Sequence, residues 1–431
     1  MKLANFNKQL FNFLDASPTP FHATANLKSM LEKAGFNALA ESESWQLKPT
    51  QSYYVTRNGS SIIAFRMPAE PNKNGFRMIG AHTDSPCLKL KPNGMYKANG
   101  YWQFGVEVYG GVLLNPWFDR DLSIAGRVTI KNESGTLSNV LVDIKKPIAI
   151  IPSLAIHLDR EANNQRAINA QTYLPPIIAT GGGELDLEAF LTRMLTNEGL
   201  EEKSFEIIDF ELSLYPCEKA ALVGIDEEFI ASARLDNLLS CFVASQTIIN
   251  GNANTNQLIV CNDHEEVGSG STSGARGTFL QDILTRLISD DEQRLQTIAK
   301  SMMVSTDNAH GIHPNFADKH DSRHGPLINQ GPVIKVNANQ SYATNSESAA
   351  IFKLAAKQAK VRVQNFVTRT DLGCGSTIGP LTATAIGIRA ADVGVPTFAM
   401  HSTRELAGSE DAFDLHRALL AFYQLEDLTT H

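Results

Sequence analysis

Apolar residues recur at helical spacing near the start of the chain, at Phe6, Leu10, Phe13 and Leu14. That period predicts a helix with one buried face. A second helix is expected from Thr19-Pro20, a capping residue followed by proline at the first helical position, and it should stop before Gly35. Together the two helices fill residues 1–35. Short strands follow in SYYVTRN, SIIAFRM and FRMIGAHTD, the last an apolar run that ends in polar residues.

From about residue 88 to 225 the texture changes. YWQFGVEVYGG, SIAGRVTI, TLSNVLVDI and FELSLYP read as hairpin strands, and only LDLEAFLTRML has a helical period. After residue 230 helices and strands alternate. ARLDNLLSCFVASQTII reads as an amphipathic helix, NQLIVCNDHEE as a strand running into polar residues, and TFLQDILTRLI as a helix. A helix over about 345–358, strands at VRVQNFV and TAIGIRAA, and a last helix over about 409–425 complete the pattern. The alternation predicts an α/β fold with a mostly parallel central sheet flanked by helices. Residues 1–87 and 226–431 should form one discontinuous domain, with the β-rich segment 88–225 inserted into it. At 431 residues, two domains are also the prior from length.

Charge and cysteine content narrow the function. A net charge of -8 with no block of like charge argues against nucleic acid. No apolar run approaches a membrane span, and the N-terminal segment interleaves its apolar residues with Asn, Lys and Gln, unlike a signal peptide. The five cysteines are widely spread with no CxxC pair, which fits a reducing cytoplasm and disfavours a thiolate zinc site.

The candidate chemistry lies in short frames rich in acids and histidine. GAHTDSP puts His82 and Asp84 two residues apart at a strand end. A metal-bound imidazole needs its second nitrogen held, which Asp84 suits, although an Asp capping a simple turn has the same pattern. Asp236 in ARLDN stands near a helix start, where it serves either the helix dipole or as a carboxylate shared by two ions. NDHEEVGS places two adjacent acids after an apolar strand, a poor choice for structure alone. With metal present the roles divide: Glu266 ligates, and Glu265 stays unligated to take a proton from water. Asp307 in STDNAHG and His401 in MHSTRE complete five ligand candidates, enough for two divalent ions sharing a bridging carboxylate. His310, His313, His320 and His324 crowd the loop after Asp307 and are read as lining a substrate site or an interface. DLGCGSTIGP lacks the ending of a phosphate loop and reads as a tight turn. Lys335 sits in an otherwise apolar strand, so it needs an anion: an acidic substrate group and a structural ion pair are equally open.

Taken together, the frames resemble the aspartyl aminopeptidases, cytosolic di-zinc exopeptidases. The resemblance runs nearly end to end, through SPTPFHA, GAHTDSPCLKLKP, GGVLLNPWFDRDLSIAGRV, AIHLDR, ARLDN, NDHEEVGS, HGIHPNFADKHDSRHGPLINQGPVIKVN, CGSTIGP and MHSTRE. It implies two zinc ions per subunit, with manganese or cobalt tolerated by the same ligands. His82 and Asp307 would hold one ion, Glu266 and His401 the other, and Asp236 would bridge them. Glu265 would be the general base and Asp84 the residue that orients His82. Lys335 would meet the substrate's acidic side chain, His157 would reach a neighbouring subunit's active site, and Tyr342 would help stabilise the tetrahedral intermediate, with His310 also at the substrate. The implied fold is a di-zinc exopeptidase-like catalytic domain carrying a β-rich dimerisation domain, assembled as a homododecamer built from dimers. The implied reaction removes N-terminal Asp, then Glu, from peptides in the cytoplasm, without nucleic acid or membrane partners. A broad neutral aminopeptidase, an N-acyl amino acid deacylase on the same site, and a non-catalytic binding scaffold are the rival readings.

Overall fold

The strand Phe76–His82 is buried along its whole length, and it lies inside the principal sheet. The computed structural model describes residues 2–68, 74–201, 204–252 and 254–428. These divide into two units. One holds residues 1–84, 220–400 and 405–431, and the other holds residues 85–219 and 401–404.

In the first unit a nine-stranded sheet runs in the order 37–38, 52–57, 61–66, 256–262, 76–82, 302–306, 389–394, 333–336, 364–367. Its middle is parallel: 256–262, 76–82, 302–306 and 389–394 all run the same way. Its flanks combine parallel and antiparallel pairs, so the sheet is mixed where a mostly parallel one was expected. Ser61–Arg66 is antiparallel to both of its neighbours, and Val333–Val336 is antiparallel to Arg389–Gly394. Asn58-Gly59 explains the first reversal. Both residues have positive φ, 56° and 66°, and the three-residue loop 58–60 closes an antiparallel hairpin in which Arg57 pairs with Ser61.

Helices cover both faces of this sheet, so its central strands need apolar residues at every position rather than alternate ones. Ile79 and Ala81 enter the core beneath helices Leu3–Asp15, Pro20–Lys33, Leu235–Asn250, Ser346–Gln358 and Asp411–Gln424. Phe76 and Met78 enter a second core beneath Phe279–Leu287 and Ile378–Ile386. Each such side chain contributes roughly 1.5–3 kcal/mol by leaving water. Leu235–Asn250 is buried at nearly every residue through Ile248, because helices from both chain ends pack over it; it is not the amphipathic helix its sequence suggests. Ile378–Ile386 is a further departure. TAIGIRAA divides between the end of this helix and the strand Arg389–Gly394, with Gly387 at φ 70° marking the break. A smaller sheet in this unit comprises 221–223, 229–232, 405–408, 396–398 and 309–310.

The second unit is built on a six-stranded antiparallel sheet, ordered 137–143, 122–132, 205–216, 87–98, 101–109, 177–180. Side chains alternate as a one-sided sheet requires. Leu88, Phe104 and Val106 point into the core, where helix Leu187–Asn197 adds Leu191, Met194 and Leu195. Among the described residues, no helix is long and apolar enough to cross a membrane.

One polar residue interrupts the buried strand. Arg77 is fully buried, and its guanidinium donates to Leu425 O at 2.8 Å, Glu426 O at 2.7 Å and Asn74 O at 2.6 Å. Leu425 closes the last helix, so Arg77 satisfies carbonyls that no helical N–H can reach. Arg77→Met should lower unfolding free energy by about 3 kcal/mol, since buried carbonyls lose their donors. Chemical denaturation checks this; a stability equal to that of the native chain would show that the clamp is dispensable.

Candidate metal centre

Three parallel strands of the first unit end side by side. Phe76–His82 lies between Asn256–Asn262 and Met302–Thr306, with Asn262 opposite His82 and Ser305 opposite Gly80. His82, the Glu265–Val267 turn and Asp307 therefore leave the sheet at one edge, the carboxyl edge where open α/β sheets gather their ligands. The backbone there is tight. A Cβ on Gly394 would fall 1.7 Å from Asp307 O, so only glycine lets the two segments pass.

Asp236 reaches the same place from the other side. Arg234 is left-handed at φ 59°, and Asp236 and Asn237 are non-helical within the first turn of Leu235–Asn250. The Asp236–Asn237 peptide is cis. Asn237 Nδ2 donates to Thr306 O at 2.8 Å, tying this turn to the strand that carries Asp307. Asp236 N donates to Glu405 Oε2 at 2.9 Å.

The outcome is one buried imidazole surrounded by carboxylates. His82 Nε2 lies 3.4 Å from Asp236 Oδ1, 3.7 Å from Asp307 Oδ1 and 4.0 Å from Glu265 Oε2. Donor atoms of His82, Asp236 and Glu266 all fall within 4.8 Å of one another. On its far side, His82 Nδ1 is 3.1 Å from Asp84 O and 3.4 Å from Asp84 Oδ1. Asp84 also grips the acidic turn: Glu265 N and Glu266 N each donate to one of its carboxylate oxygens at 3.1 Å. The two adjacent acids of NDHEEVGS are thus held by their backbone from Asp84.

Electrostatics follow from this crowding. Burial pushes the Glu265 carboxyl up to about 7; His82 pulls it back, while Asp307, Asp236 and Asp84 push it further up. Burial, then the charge on Asp236, holds Glu266 well above the usual carboxylate range. Burial opposes a charge on His82, but bonds to Asp236, Asp307 and Asp84 outweigh it and raise the imidazole well above its ordinary value. The carboxylates thus favour positive charge at His82, and a divalent cation would supply it in place of a proton; imidazole nitrogen with carboxylate oxygen is the donor chemistry that zinc accepts.

The other candidate residues occupy varied settings. Lys335 is 2% exposed, and its Nζ donates to Asp307 Oδ2 at 3.3 Å and Asn308 O at 3.1 Å. The same Nζ lies 5.1 Å from the Tyr342 ring, which is buried beside Phe366. His310 is exposed, with its ring edge-on to Phe366 at 5.8 Å. It joins His313, His320, Lys319 and Arg369 around a pocket of about 330 Å³. In the second unit, His401 Nδ1 is 2.9 Å from Gly111 O. His157 is exposed there between Ile156 and Leu158, themselves 44% and 75% exposed. Glu405 had no assigned role in the sequence, although it stands within the MHSTRE frame. An acid four residues after the candidate ligand His401 was the available signal.

The family model for the aminopeptidase I zinc metalloproteases (M18) matches residues 13–423. The chain belongs to this M18 family. It is 55% identical over 429 residues to a probable M18 family aminopeptidase 2 of Pseudomonas syringae, with 99% of each chain covered. Among solved structures it is similar to a chain of the Ape4 and Nbr1 complex, at TM-score 0.95 and 40% identity, covering 98% of this chain and 86% of that one. It is also similar to the mApe1 dodecamer of Saccharomyces cerevisiae, at TM-score 0.84 and 26% identity, covering 97% and 96%. As an M18 enzyme it is a metallo-aminopeptidase, an exopeptidase hydrolase with a mixed α/β fold. The zinc in the family's description agrees with the donor set around His82.

Proposed function

We propose that this M18 aminopeptidase removes acidic N-terminal residues, Asp and then Glu, from peptides, using two zinc ions and Glu265 as general base. The observation that carries the reading is the company of His82: more buried carboxylates than one ion needs, with two adjacent acids presented by a single turn. His82 and Asp307 would hold one ion, Glu266 and His401 the other, with Asp236 between them. Asp84 keeps the His82 ring turned, and its grip on Glu265 N and Glu266 N sets both carboxylates.

Bound zinc would lower the pKa of a water molecule and polarise the scissile carbonyl. The chain's own part is proton traffic. Glu265 accepts the proton of the attacking water at its carboxylate and hands it to the leaving amine. Glu265→Gln should keep its zinc and lose nearly all turnover. Metal content by mass spectrometry, beside a peptide assay, checks this; loss of zinc or retention of activity would contradict the division of roles.

Acidic preference would come from a cation at the site of the first side chain, and Lys335 is the candidate through a charge-assisted contact. One observation favours a second reading, a broad neutral aminopeptidase: Lys335 is buried and already engaged by Asp307. Hydrolysis of Asp-, Glu-, Leu- and N-acetyl-Asp-peptides, by native protein and by Lys335→Ala, separates the two. We expect chelator-sensitive cleavage of free Asp and Glu peptides only, with KM for Asp-peptides raised far more than for Leu-peptides in the variant. Leu cleaved fastest would favour the neutral enzyme, and cleavage of the N-acetyl peptide would favour a deacylase.

The enzyme would act in the cytoplasm as a homododecamer built from dimers. Likeness to the yeast dodecamer supports the assembly, and the exposed apolar side chains of Leu154, Ile156 and Leu158 support an interface in the inserted β-rich domain. His157, among them, would complete a neighbouring subunit's site.

A further inference from the structure

We infer that Glu405 is a positioning residue for Asp236, the carboxylate assigned to both metal ions; the inference rests on that metal reading. Glu405 is 2% exposed and begins the strand Glu405–Gly408, where it pairs with Ser232. Four residues after Ser232 the chain reaches Asp236, and Glu405 Oε2 accepts the Asp236 N–H at 2.9 Å.

The contact answers a local need. The first N–H groups of a helix have no partner within it, and a neighbouring side chain usually caps them. Arg234 occupies the N-cap position of this helix, and no side-chain hydrogen bond caps the helix there. Its guanidinium points elsewhere, donating to Ser17 O at 3.1 Å and Leu14 O at 3.3 Å. The acceptor for Asp236 N comes instead from a distant strand, and Asn237 anchors the next residue to Thr306 O. The Asp236 backbone is therefore fixed on both sides, and its carboxylate has little freedom to leave the His82 cluster.

Stability alone does not account for a carboxylate in this place. A hydroxyl caps a helix without adding charge. A buried glutamate next to Asp236 brings another acid to a cluster that already gathers Asp84, Glu265, Glu266 and Asp307 about His82, and burying charge is costly. The gain is a stronger, charge-assisted bond to the one backbone N–H that sets the bridging carboxylate.

The test is zinc affinity, by competition with a chelating indicator, for the full-length native chain, Glu405→Gln and Glu405→Met. Circular dichroism and a thermal melt accompany each. Met fills the same space without an acceptor, and its zinc affinity should fall about 10- to 100-fold with the fold intact. Gln keeps a carbonyl acceptor for Asp236 N without the charge and should recover part of that loss. Native affinity in Glu405→Met, an equal loss in Glu405→Gln, or a Met variant that does not fold would each overturn the proposal. A native chain that binds no zinc would remove the metal reading itself.

Discussion

Repulsion among buried carboxylates at His82 is the constraint on which the rest depends. Two like charges 4 Å apart repel by about 4 kcal/mol at the effective dielectric of a protein surface, and more where water is excluded. Asp84, Asp236, Glu265, Glu266 and Asp307 approach a single imidazole. No chain would hold this arrangement for stability. Hydrogen bonds hold the backbones of Asp236, Glu265, Glu266 and Asp307 in place, and a bound cation would relieve the repulsion that the fold enforces.

The fixing is done by deeply buried parts of the fold. Parallel strands buried on both faces align the ends that carry His82 and Asp307. Asp84 does two jobs with one carboxylate, facing the His82 ring and binding the turn of Glu265 and Glu266. Lys335 neutralises part of the negative charge from beneath Asp307. The acid cluster and its supports thus form one electrostatic unit, in which a change at any member alters the others.

Much of this was legible in the sequence because it is local. Helical spacing at Phe6, Leu10, Phe13 and Leu14 marks a helix, and the apolar runs 78–81 before His82 and 258–261 before Asn262 mark strands covered on both sides. The frames around His82, Asp236, Glu266 and Asp307 likewise declare unusual chemistry within a few residues. Two local signals run against the wider pattern. Asn58-Gly59 announces an antiparallel hairpin, which the alternation of helices and strands concealed. The small side chains of LTATAI hid the helix Ile378–Ile386 behind the β-branched look of the residues that follow. What pattern could not reveal is pairing at a distance. Nothing near Lys335 points to Asp307, nothing near Glu405 to Asp236, and nothing near Arg77 to the carbonyls of Leu425 and Glu426. Such contacts are decided by how strands are ordered in the sheet.

The most direct test of the central claim is anomalous diffraction at the zinc edge from crystals of the zinc-loaded native protein. Two peaks per subunit should stand at the His82 cluster, with the Asp236 carboxylate between them and Glu265 bound to neither. A peak away from His82, or Glu265 as a direct ligand, would contradict the account.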